Sequence, residues 1–199
     1  MKKIIYVISF LALILNACKS ENKANEEAQK TADEAFPETE VVLSKSEQIV
    51  NDAFAKEYTA VLDQYFELKD ALVETDSVNS IKNAKLLIAK FDAVNTNNLP
   101  DSMSNYWKEQ IDIIELILQK IISAQSIKHQ RTEFYALSED MLELYRKLGL
   151  KEKIVYKQFC PMAFDDKGAF WLSNSDDILN PYFGSEMLHC GEVQEKIQN

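Results

Sequence analysis

DSMSNYWKEQIDIIELILQKII, running from Asp101 to Ile122, decides the fold class. Trp107, Ile111, Ile114, Leu118 and Ile121 recur at spacings of three and four, which places them on one stripe of an α-helix. Ile113, Ile117 and Ile122 widen that stripe, so this helix is expected to be the most buried of its set. It begins at Asp101 or Ser102, just after Pro100.

The same period continues on both sides. Upstream, a helix from about Asn51 to Val73 aligns Phe54, Tyr58, Val61, Leu62, Tyr65, Leu68 and Leu72. A second, capped by Asp76 or Ser77, carries Val78, Ile81, Ala84, Ile88, Phe91 and Val94 and ends at the Asn95–Asn98 run. Downstream, Phe134, Leu137, Met141, Leu144, Tyr145 and Leu148 define a helix over about Thr132 to Leu148, which Gly149 stops. His129 is expected to be solvated near the end of the third helix. Short connections make consecutive helices antiparallel neighbours. The expected fold is therefore mainly α: an up-down-up-down four-helix bundle over 47–149 with a small, irregular, partly β C-terminal tail, 150–199, packed on it.

The tail changes texture. Ile154–Phe159 is β-like, Asp165-Asp166-Lys167-Gly168 reads as a turn, and Ala169–Leu172 as the returning strand. Pro161 implies that the first strand is an edge or ends there. Phe159, Phe170, Trp171 and Tyr182 are expected to be buried and to join the bundle core. Soft ligands gather in two places, Cys160-Pro161-Met162 and Met187-Leu188-His189-Cys190. Two thiols, two thioethers and an imidazole are the groups that select Cu(I) or Ag(I) over magnesium or calcium. The same two cysteines could instead form a Cys160–Cys190 disulfide, since thiols outside the cytoplasm tend to pair. Closing that loop of about 31 residues would contribute roughly 3–4 kcal/mol. The residues by themselves leave both readings open.

From Tyr156 to Val193 the chain carries Phe159-Cys160-Pro161-Met162-Ala163, Gly168-Ala169-Phe170-Trp171-Leu172-Ser173, Asn180-Pro181-Tyr182-Phe183-Gly184 and Met187-Leu188-His189-Cys190-Gly191. This resembles a domain-of-unknown-function family of Bacteroidota envelope proteins. Members occur as stand-alone lipoproteins or appended to periplasmic adaptor (membrane fusion) subunits of copper/silver efflux systems of the resistance-nodulation-division type. The resemblance covers about the last forty residues, and the helices agree with it in type and length. It implies an envelope role near heavy-metal handling, with Cys160, Met162, Met187 and Cys190 as metal ligands and efflux adaptor or pump components as partners. The chain lacks the hairpin and barrel regions of an adaptor, so it is not expected to be the fusion subunit itself.

The N-terminus has the form of an export signal over 1–17. Lys2 and Lys3 precede an apolar run from Ile4 to Leu15, interrupted by Ser9. Leu15-Asn16-Ala17-Cys18 resembles a bacterial lipobox, which makes Cys18 the lipidation site and mature N-terminus. The segment 18–46 is polar, contains Pro37 and is expected to be a disordered tether about 30 Å in mean reach. The expected location is the cell envelope, with a membrane-anchored body facing the periplasm or the exterior.

Charge and motifs exclude other classes. With 22 Lys+Arg against 32 Asp+Glu the formal net charge is −10, which opposes binding to nucleic acid. No HExxH, GxSxG or Walker loop occurs. Glu186-x-x-His189 has the form used in di-iron bundles, but a second pair ending at His129 would require an acidic residue where Ser126 stands. The chain is therefore expected not to be an enzyme.

Overall fold

A computed structural model describes residues 41–43, 52–150 and 153–198. The signal segment 1–17, Cys18 and most of the tether lie outside the described residues.

Four helices form the body: α1 (Asp52–Val73), α2 (Ser77–Asp92), α3 (Asp101–Ser123) and α4 (Ile127–Leu148). Their ends follow the capping chemistry of the sequence. The Asp76 carboxylate accepts the Asn79 N–H at 2.9 Å and starts α2. At the end of α1, Thr75 adopts φ 61°, an unfavourable conformation for a β-branched residue. The Arg131 guanidinium ties it down, donating to Thr75 Oγ1 and to the Leu72 carbonyl, both at 3.0 Å. Gly149 supplies the positive φ that ends α4, and its N–H reaches the Tyr145 carbonyl at 2.8 Å.

Two expectations need correction. Helix α4 starts five residues before Thr132, because Ser126 caps it by accepting the His129 N–H at 3.3 Å. His129 thus lies in the first turn of α4 rather than at the end of α3, and it is exposed. The most buried helix is α1, with ten buried residues against seven in α3. The reason is position: α1 packs along α2 and meets Trp107 of α3, Phe134 of α4 and Leu172 of the tail, so its apolar stripe is covered from several sides. On α3, Ile113 and Leu116 remain 47% and 67% exposed.

Aromatic side chains fill the core. Phe54, Tyr58 and Trp107 meet edge to face or tilted at one end, with centroids 5.3–5.9 Å apart. Tyr65 of α1 and Phe134 of α4 stack at 5.3 Å near the tail.

The tail contributes β2 (Ile154–Cys160), β3 (Ala169–Ser173) and β4 (Glu192–Gln198). Together with β1 (Val41–Leu43) they form one sheet in the order β1-β4-β2-β3. Strand β2 is antiparallel to both β3 and β4, and β1 runs parallel to β4. Pro161 therefore marks the end of a central strand, because a following proline cannot extend the ladder. Val41–Leu43 falls inside the segment expected to be tether and is instead a sheet edge.

Strand β3 is the opposite edge, and the bundle covers it. The outward N–H of Leu172 donates to the Tyr65 hydroxyl at 3.2 Å, and the outward carbonyl of Phe170 accepts from the Tyr182 hydroxyl. Two tyrosines thus satisfy an edge that would otherwise be open to pairing. Trp171 and Tyr182 are buried in the common core, and Phe170 packs edge-on against Tyr135. Phe159 departs from expectation: it is half-buried and its ring lies over Gly168, where a Cβ would meet Phe159 Cζ at 2.4 Å. Charge also joins tail to bundle, through Arg146 of α4 and the nearly buried Glu195 of β4 at 2.5 Å.

Candidate functional site

Cys160 ends β2, and Cys190 stands two residues before β4, the strand beside it. Strand pairing brings the two together: the Sγ atoms are 3.1 Å apart and both thiols are free. Cys160 is fully buried, whereas Cys190 is half-buried and packs against the core. The Cys190 thiol is pushed above its ordinary value, first by its hydrogen bond to Cys160, then by burial and the neighbouring sulfur. A bond between the sulfurs would need about 2.05 Å. A tetrahedral ion with sulfur bonds of about 2.3 Å would need the sulfurs roughly 3.7 Å apart. The observed separation lies between these two.

The other ligands expected from the sequence differ in exposure. Met162 lies two residues beyond Cys160 on the surface and is 47% exposed. Met187 is half-buried, and its carbonyl accepts the Cys190 N–H at 3.1 Å, closing a turn. His189 is exposed, with Nδ1 at 2.9 Å from the Ile178 carbonyl. A carbonyl can only accept, so Nδ1 is the donor in this bond. Among the described residues, no group of three or more His, Cys, Asp or Glu side chains is placed to share an ion.

The frame around the thiols is strained and tightly bonded. After Met162 the chain turns through Phe164, Asp165 and Asp166, three successive non-glycine residues with φ of 54–61°. Left-handed backbone costs about 1–2 kcal/mol per residue. The turn is held by the Gly168 N–H on the Ala163 carbonyl at 3.0 Å, and by Phe164 packed on Tyr135 and Tyr182. Behind Cys190, Gly191 has φ 146°, and a Cβ there would meet the Phe159 carbonyl at 2.8 Å. This close approach lets the Cys190 segment lie against β2.

Two organising residues were not anticipated. Gln158 sits at an irregularity in the β2–β4 register, and its fully buried amide donates to the carbonyls of Ser175 and Asp177 at 2.9 and 3.0 Å. Asn180, also fully buried, binds the carbonyl of Cys190 at 2.7 Å. Together they fasten the long connection between β3 and β4 that delivers Cys190.

The helices and the turn into β2 carry a family signature. Residues 61–153 match DUF3347, a family of proteins of unknown function. The DUF3347 match runs from within α1 to the start of the tail, so it falls on the helical scaffold and stops before Cys160. No curated protein and no solved structure matches the chain. Among the described residues, no helix is long and apolar enough to cross a membrane.

Proposed function

We propose that this chain is a non-enzymatic envelope lipoprotein that binds a soft monovalent metal ion, Cu(I) or Ag(I), as an accessory to heavy-metal efflux or homeostasis. The observation that carries this reading is the free thiol pair at 3.1 Å, with one cysteine buried and the other half-buried. Soft thiolates select such ions, and the thioethers of Met162 and Met187, close to the two cysteines in sequence, are donors of the same kind. The Nδ1 bond of His189 leaves Nε2 able to receive or pass on an ion at the rim. Cys18 is the proposed lipid anchor, and an efflux adaptor or pump component is the proposed recipient.

The same proximity favours one second reading. A Cys160–Cys190 disulfide would staple the tail and leave the helices as a docking body for a partner protein. Anaerobic titration of the reduced protein with Cu(I) against a chromogenic chelator separates the two. One retained equivalent that is lost in Cys160→Ser and Cys190→Ser supports the metal reading. No retention, together with a stable bond between these cysteines in protein isolated from its own envelope, replaces it with the structural one. Labelling with a palmitate analogue, abolished by Cys18→Ala, tests the anchor separately.

A further inference from the structure

Asn180 uses every polar group it has. Its N–H donates to the Leu188 carbonyl at 2.8 Å and its carbonyl accepts the Gly184 N–H at 2.9 Å. Its Oδ1 accepts the N–H groups of Tyr182 and Phe183 at 2.8 and 3.3 Å. Its Nδ2 donates to the Cys190 carbonyl at 2.7 Å. One fully buried side chain therefore clamps a turn with one end and the thiol-bearing residue with the other.

We infer that Asn180 is a positioning residue that holds Cys190 against Cys160, so the thiol pair is preformed before an ion or an oxidant arrives. This rests on the reading of the pair as the functional site. The Nδ2 bond reaches the backbone of Cys190 itself, and the Cys190 N–H is fixed on the Met187 carbonyl at 3.1 Å. With both flanking peptides held, little freedom beyond χ1 is left to the sulfur. A pair already ordered spends none of its binding energy on ordering, which is where preorganised sites gain affinity.

Asn180→Asp tests this selectively. The carboxylate still accepts from Tyr182 and Phe183, so the turn keeps its acceptor, but it cannot donate to the Cys190 carbonyl. Two quantities are read on the full chain at neutral pH: Cu(I) affinity against a chelator, and the dithiol–disulfide equilibrium in glutathione buffers. Each is expected to fall by about tenfold, the scale of one lost hydrogen bond. A merely structural role would lower the urea midpoint of the variant and leave the thiol equilibrium of the folded protein where it was. Should Asn180→Asp not fold, Asn180→Ser serves instead, with a hydroxyl that caps the turn but is too short to reach Cys190. A folded variant whose thiol equilibrium equals that of wild type overturns the inference. If wild type binds neither ion, the proposed function fails; a lowered thiol equilibrium in the variant would then still uphold the role of Asn180.

Discussion

The hydroxyl of Tyr65 accepts the backbone N–H of Leu172 at 3.2 Å, joining the middle of α1 to the edge of the sheet. The direction of every proton in this chain follows from its ends. Ser138 donates to the Phe134 carbonyl at 2.9 Å, so its oxygen must accept from Tyr65 at 2.7 Å. Burial raises the Tyr65 phenol well above its ordinary value, outweighing the bonds to Ser138 and Leu172, and keeps it neutral as the relay requires.

Tyr65→Phe removes the centre of that relay without opening a cavity. It leaves the Leu172 N–H unpaired in the core and Ser138 without a donor. The expected loss is about 2 kcal/mol, since an orphaned buried donor carries its full desolvation penalty. Urea denaturation should show a lower midpoint with an unchanged slope. An unchanged midpoint would mean that the edge of β3 finds another partner.

Gly184 is where the tail lies on the end of α1. A Cβ there would fall 2.5 Å from Thr75 Oγ1, 2.7 Å from Arg131 Nη2 and 2.8 Å from the Val73 carbonyl, at φ 59°. Gly184→Ala is expected to destabilise by about 3 kcal/mol, combining an unfavourable backbone with overpacking. Hydrogen exchange should show the loss concentrated in residues 174–191. Uniform loss over the helices would argue that this contact supports the whole fold instead.

The helices were legible because each repeats apolar residues at helical spacing, and the Asp76 and Gly149 signals stand at their ends. The start of α4 was harder to read, because Ile127 to Arg131 contributes a buried amide, Gln130, rather than an apolar stripe. Strand β4 reads as polar, since one of its two buried residues is Glu195, whose partner Arg146 lies 49 positions away. The burial of α3 was overestimated because composition says how greasy a helix is and not how many neighbours it has. At the site, cysteine chemistry nominated the thiol pair. Asn180 stands in the run Asn180-Pro181-Tyr182-Phe183-Gly184, and nothing in that neighbourhood discloses a bond to Cys190 ten positions on. The left-handed run at 164–166 was hidden too, because such turns ordinarily announce themselves with glycine.

Cys190 should titrate late. The hydrogen bond it shares with the Cys160 sulfur favours its protonated form and raises the thiol above its ordinary value. Iodoacetamide reacts with thiolate, so the wild-type rate profile should rise at higher pH than that of Cys160→Ala, in which the bond is gone. The same sign applies to folding. Stability supplied by this protonated thiol is complete below the unfolded thiol's pKa and is lost as pH rises through the raised folded value. Superimposable profiles for the two proteins would show that the sulfurs do not share a proton in solution.

The methionines discriminate a soft-metal centre from a plain pair of cysteines. Met162 is 47% exposed and Met187 half-buried, so neither is locked in the core. Met162→Leu with Met187→Leu conserves volume and removes only the sulfur, so stability should change by less than about 1.5 kcal/mol. If thioethers complete the coordination that two thiols begin, Cu(I) affinity of the double variant should drop by about tenfold or more. The Cys160–Cys190 thiol equilibrium should stay where it was, because a disulfide does not need the methionines. Full retention of Cu(I) by the double variant would reduce the centre to its two cysteines and shift the balance toward a structural staple.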